Sequence, residues 1–360
     1  MRERYECRLC DGELKPVFAL KPSPIANSFP ALPDSGAPRY PLELVECVEC
    51  GHVQQRYVAE GLYEDYKYQT PQTVERYLAP EARAIADRHP SARVLEIGCN
   101  NGVFLDLLIA EGLEVLGVDP AATHPRALPT HFSWQLALEL GEFDVIVANN
   151  VLAHIDDLDS VFHGIRKCLR PDGELIFEVQ YLVDLVKSGK FDMIYHEHMD
   201  YHHLRPLQGY LRRFGLVMTK WEHIPQHGGS IRVYASKVGV ECELPEEQID
   251  WDAFRAKVEA ARIRLGAILR SHGQVVAFGA PAKAATIIGE FGLEPYISYV
   301  VDDTPLKQGR YIPGTNLKIL PTSEVGDGPV LLLAWNFADE ISRKIPNKLI
   351  LPYEDRDYRA

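Results

Sequence analysis

The run 93–102, RVLEIGCNNG, constrains this chain more than any other stretch: a short apolar segment closes on a turn bracketed by Gly98 and Gly102 and passes directly into the helical VFLDLLIA of 103–110. Comparable apolar runs follow as EVLGVDP at 114–120, FDVIVANN at 143–150 and GELIFEV at 173–179. Strands separated by helical segments imply a parallel sheet covered by helices on both faces. The expected class is therefore α/β, with a doubly wound, Rossmann-like core.

A second strand–turn–helix unit, QVVAFGAPAK, starts at 274 and is echoed at 299–303 and 328–334. It follows an acidic stretch at 243–247 and an amphipathic helix carrying Phe254, Val258, Ala261 and Leu265. A chain of 360 residues exceeds one domain of ordinary size. Three units are predicted: a small cysteine-bearing one at 1–65, the core at 66–243, and a smaller Rossmann-like α/β domain at 244–360.

Of the seven cysteines, Cys7, Cys10, Cys47 and Cys50 form two C-x2-C pairs, each followed by a turn-forming Asp-Gly or Gly. Two such knuckles turn four thiolates toward one point, the donor set of structural zinc. A closed site of four thiolates leaves no open position for substrate, so the expected role of Zn2+ is to hold a small Pro-rich region together. Cys99, Cys168 and Cys242 are scattered and read as packing residues.

The formal net charge of −13, without any dense basic run, argues against a protein that tracks nucleic-acid phosphates. The N-terminus lacks the apolar core of a signal peptide and there is no stretch long enough to span a membrane, so a cytoplasmic monomer or small homo-oligomer is expected.

Glu96, Gly98 and Gly102 bring backbone close to a ligand at the carboxyl edge of the sheet, and Asp119 ends the next strand where an acidic group can accept hydrogen bonds from ribose hydroxyls. The loop does not fit the G-x-G-x-x-G fingerprint of dinucleotide enzymes. It resembles instead the first motif of class I methyltransferases, Val118-Asp119-Pro120 resembles their second, and 143–154 resembles the strand and turn that border the cofactor. The resemblance implies S-adenosylmethionine as cofactor, with Glu96, Gly98, Asn100, Asn101, Gly102, Asp119, Pro120, Asn149 and Asn150 lining its site.

Residues 192–203, DMIYHEHMDYHH, hold four histidines, two tyrosines and three acidic residues. Transfer of a methyl group to carbon needs a C–H bond made acidic by a neighbouring carbonyl, a placed base and an oxyanion donor, and this segment has candidates for each. A metal site or a solvated loop are the alternatives. The paired knuckles, the GCNNG loop, Tyr195-His-Glu-His198 and FGAPAK at 278–283 together resemble the nucleotide-sugar C-methyltransferases that act at C-3 of dTDP-linked 4-keto-6-deoxyhexoses. That likeness implies Tyr195, Glu197 and His198 as the catalytic cluster; within it His198 is expected to act as the base and Tyr195 as the enolate-stabilising donor, while Glu197 would orient His198 or hold a sugar hydroxyl. Tyr68, in YEDYKY at 63–68, would close the pocket, and His227 is a rival base. Arg232 would line the sugar site or, equally well, serve as a structural salt-bridge partner, while Gly279 and Lys283 would cradle the diphosphate ahead of a helix. An O- or N-methyltransferase on a nucleotide sugar, or a zinc-containing RNA-modifying methyltransferase, would share much of this pattern.

Overall fold

Each of the predicted strands forms, and their residues alternate between two apolar layers as the period of an extended chain requires. In this computed structural model, which describes residues 1–59 and 75–353, the central sheet has seven strands. Across the sheet these are 217–224, 230–236, 169–180, 143–149, 93–97, 114–118 and 127–128. All run parallel except 230–236, which lies antiparallel to both of its neighbours. Leu95, Ile97, Ile146, Ala148, Leu175 and Phe177 face one layer with Phe162, Ile165, Leu207 and Leu211. Val94, Val145, Val147 and Ile176 face the other with Leu78, Ile85, Phe104 and Leu108. This is the class I methyltransferase fold, and it aligns the carboxyl ends of strands 93–97, 114–118 and 143–149 along one edge.

The C-terminal sheet is wholly parallel, in the order 319–320, 297–301, 275–278, 330–332, 349–350. Helix Trp251–His272 leads into it, started by Asp250, whose carboxylate accepts from the N–H groups of Asp252 and Ala253.

The N-terminal sheet departs from the sequence division. Its four strands are 14–23, 40–47, 53–55 and, from deep within the core unit, Asp200–Tyr201. The histidine-rich stretch is thus an edge of the cysteine domain as well as a loop of the core. Among the described residues no helix is long and apolar enough to cross a membrane.

Candidate active site

Both knuckles close in the same way. In the first, the Cys7 N–H donates to Gly12 O and the Asp11 N–H to Cys7 O; in the second, Cys47 N–H donates to His52 O and Gly51 N–H to Cys47 O. Asp11 and Gly51 take the left-handed backbone that this turn demands. The four Sγ atoms lie within 4.8 Å of one another, with Cys7–Cys50 at 3.6 Å and Cys10–Cys47 at 3.5 Å. Tetrahedral zinc with thiolates at ~2.3 Å separates its sulfurs by about 3.8 Å, so the donor set fits the ion.

At the carboxyl edge of the core, Gly98 and Gly102 both have positive φ, and a Cβ on Gly98 would meet Val151 at 2.8 Å. Asp119 holds the turn shut by accepting from the N–H groups of Asn100 at 3.1 Å and Ala121 at 2.7 Å. Pro120 beside it is exposed and Asn101 half-buried. Behind them Glu96 is buried without a cation beside it; burial, then the carboxylates of Glu81 and Asp119, push it up to about 8. Glu96 Oε2, Glu81 Oε1 and Asn149 Oδ1 are buried acceptors without donors. A polar ligand rich in N–H and O–H donors, as the methionyl and ribose parts of S-adenosylmethionine are, suits that set.

Arg232 takes the second of the two roles its sequence allows, that of a salt-bridge partner. Its guanidinium donates to Glu81 at 3.0 Å and to Glu178 at 3.2 Å, and Asn149 and Asn150 donate to the same two carboxylates at 3.1 and 2.9 Å. The cation is spent neutralising buried carboxylates of the core, so we withdraw it from the sugar site.

The stretch 192–203 places its four histidines in different environments. The His198 Nδ1–H donates to Met193 O at 3.0 Å, and because a carbonyl can only accept, the neutral ring keeps its lone pair at Nε2. The Tyr195 hydroxyl donates to that nitrogen at 2.8 Å. Glu197 is 1% exposed; its Oε1 accepts from the backbone and side-chain N–H groups of Asn27, each at 3.1 Å, and its Oε2 is buried without a donor. Burial pushes this carboxyl up to about 7. His196 packs edge-on against Tyr40, His202 beside His52, and His203 donates from Nε2 to Gly51 O while its Nδ1 meets Glu247. Among the described residues the four cysteines form the one group of three or more side chains with metal-ligand geometry.

Two members of the site escaped the sequence reading. His154, on the turn after strand 143–149, donates from Nδ1 to Glu197 O at 2.8 Å, and its ring centre lies 4.7 Å from that of His198. Burial holds it down at about 4, so it is a neutral imidazole at pH 7. Asn27 comes from the cysteine domain, where one Asn in a loop has no sequence signature. Tyr68 lies outside the described residues, as does the side chain of His227, whose backbone forms the short turn Gln226–Gly228.

In the C-terminal domain Gly279 has positive φ, but the close approach it permits is to protein: a Cβ there would fall 2.5 Å from Ala334. Lys283 is 5% exposed, with its ammonium 3.4 Å from the Trp335 ring centre and bonded to Asn336 Oδ1 at 2.8 Å. Trp335 in turn donates to Asp192 Oδ2 at 2.7 Å. Through Trp335, Lys283 thus stands at the junction with the histidine-rich stretch, and Gly279 allows the close packing on Ala334.

Comparison with known proteins agrees with this architecture. Residues 7–61 match a zinc binding domain, 66–220 a methyltransferase domain and 225–349 a C-methyltransferase C-terminal domain. The C-methyltransferase NovU of Streptomyces niveus is 30% identical, over 93% of this chain and 91% of its own. The ubiquinone biosynthesis O-methyltransferase of Salmonella paratyphi A is 28% identical over 28% of this chain and 54% of its own. Among solved structures, magnesium protoporphyrin IX methyltransferase from Synechocystis PCC 6803 is 18% identical over 46% of this chain and 82% of its own, at a TM-score of 0.35. With zinc-binding, methyltransferase and C-methyltransferase C-terminal domains along the chain and a likeness to NovU over nearly the full length of both, the chain belongs to the S-adenosylmethionine-dependent C-methyltransferases.

Proposed function

We propose that the acceptor is a nucleotide-linked keto-deoxysugar, methylated at the carbon next to its ketone, C-3 of a 4-keto sugar. The observation that carries this reading is the Tyr195–His198 pair, in which a neutral imidazole presents its one lone pair to a phenol. S-adenosylmethionine supplies an electrophilic methyl group on sulfur, and Glu96, Asp119 and Asn149 are the residues placed to hold it.

The chain's own groups then divide the work. His198 Nε2 takes the proton alpha to the ketone as the Tyr195 hydroxyl turns from the ring to the carbonyl oxygen. The C–H pair becomes an enolate, whose oxygen Tyr195 stabilises by donating a hydrogen bond. His198 is then an imidazolium held by Met193 O, and after the new C–C bond forms it returns its proton to solvent. The His154 ring lies beside it, and Glu197, whose carboxylate is held by Asn27, orients the base or a sugar hydroxyl in this reading. A second parallel sheet whose carboxyl edge abuts the catalytic segment through Trp335 and Asp192 supports a site for the nucleotide, since α/β sheets receive ligands at that edge.

The test is to incubate the enzyme with S-adenosylmethionine and a dTDP-4-keto-6-deoxyhexose and locate the methyl group by carbon–proton correlation NMR. A methyl bonded to C-3 supports the reading. A methyl on oxygen or nitrogen, or no transfer to any nucleotide keto-sugar, sinks it.

A further inference from the structure

Arg8 lies between the zinc ligands Cys7 and Cys10, yet its guanidinium is buried in the seam between the cysteine domain and the core. There it donates to the Asp200 carboxylate and to the carbonyls of Ile155 and Asp156, the last at 2.8 Å. The other oxygen of Asp200 lies 2.9 Å from Nε2 of His52, which follows Cys50 by two residues. Asp200 is thus gripped from both sides by neighbours of the zinc ligands. It follows His198 by two residues, and Ile155 adjoins His154.

The backbone repeats the pattern. The Gln55 N–H donates to Met199 O at 2.9 Å, the Met199 N–H donates to Ala153 O at 2.7 Å, and Asp200 pairs with Gln54 across the sheet. One guanidinium therefore ties the strand just past the base to the turn just past His154. The Arg8 and Asp200 side chains are 2% and 0% exposed. A buried ion pair is a poor source of stability, because apolar residues of the same shape often serve as well or better. What it supplies here is a fixed geometry between two segments.

We propose that Arg8 is a positioning residue: it holds the 197–201 segment and the 153–156 turn in register, so that the zinc knuckle sets the placement of His198 against His154. The inference rests on His198 being the base, but its first readout needs no acceptor.

The experiment compares zinc-loaded wild type with Arg8→Met, Arg8→Lys and, as control, Arg2→Ala, whose exposed pair with Asp156 lies at the surface. Zinc content, S-adenosylhomocysteine affinity and hydrogen exchange by peptide are measured, then kcat and KM. Arg8→Met is expected to keep its zinc, to hold S-adenosylhomocysteine within about twofold, and to exchange on the order of tenfold faster at 153–157 and 194–203 but not at 93–118. Its kcat falls on the order of 10²-fold with the KM for S-adenosylmethionine unchanged, as misplacement of a reacting group predicts. Arg8→Lys recovers part of this, because an ammonium reaches Asp200 but not both carbonyls as well. Wild-type exchange and kcat in Arg8→Met overturn the proposal, and so does an equal loss of protection at 93–118 with loss of zinc, which makes Arg8 a general support of the fold. Should Arg8→Met not fold, Arg8→Lys decides: selective loosening of the two segments supports the proposal and wild-type behaviour overturns it. A wild-type enzyme inert toward keto-sugars refutes the acceptor assignment, and the exchange measurement still decides the role of Arg8.

Discussion

Replacing Asn27 by Ala removes one of the two donors to Glu197 and leaves the other, the backbone N–H of residue 27, in place. The bond lost is charge-assisted when Glu197 is ionised, and such bonds contribute ~1.5–3 kcal/mol. With Glu197 1% exposed there is little solvent screening to discount that figure. Dividing by about 1.36 kcal/mol for each pKa unit gives an upward shift of roughly one to two units. Starting from about 7, the carboxyl moves to between about 8 and about 9. If the ionised Glu197 orients the base, the acid limb of the kcat/KM profile rises by the same one to two units, and activity at pH 7 falls to between about a fifth and about a fiftieth of wild type while recovering above about pH 9. Measuring kcat/KM from about pH 6 to about pH 9.5 for both proteins tests this. An acid limb that stays in place in Asn27→Ala, whatever happens to the rate, refutes the assignment of Glu197 as an ionised participant.

Three further outcomes follow from the same geometry. Burial raises the Glu96 carboxyl from 4.5 in the ordinary case to about 8, so the unligated fold binds a proton that the unfolded chain releases, and stability falls as pH rises through that window. The loss approaches about 3 kcal/mol by pH 7, and denaturant melts of Glu96→Gln are expected to show a flatter pH dependence than wild type; equal slopes contradict it. Gly98→Ala combines a positive φ with a Cβ 2.8 Å from Val151, so urea unfolding is expected to show a loss of roughly 1–3 kcal/mol together with weakened S-adenosylhomocysteine binding. Lys283→Met is expected to leave dTDP affinity within about twofold, because the ammonium faces Trp335 and Asn336; a loss of about tenfold by calorimetry restores Lys283 to a diphosphate site.

How far the sequence reached depended on whether a feature is local. The turn at 98–102 was legible because two glycines with positive φ and a strand-ending acid fall at fixed spacings along one chain segment. The same holds for the knuckles, where each C-x2-C pair carries its own turn. Arg232 and Lys283 were ambiguous for the opposite reason: a cation beside glycines looks the same whether it meets a phosphate or a buried carboxylate. Their partners Glu81, Glu178, Trp335 and Asn336 are set only by the packing of distant elements. His154 lay within the quoted run 143–154, but only folding brings it to the back of Glu197. The two-residue strand Asp200–Tyr201 is too short to show a period, so its pairing with Val53 and Gln54, and with it the role of the cysteine domain in the site, was invisible.

Everything proposed for the reaction turns on His198 removing a proton from carbon. The most direct test of that step is deuterium exchange at the alpha position of a dTDP-4-keto-6-deoxyhexose in heavy water, with S-adenosylhomocysteine in place of the methyl donor. Wild type is expected to wash deuterium into C-3 without turnover, and His198→Asn to lose that exchange while still binding S-adenosylhomocysteine as wild type does. Exchange that persists undiminished in His198→Asn would contradict the assignment of the base, and methyl transfer at full rate in that variant would contradict the mechanism as a whole.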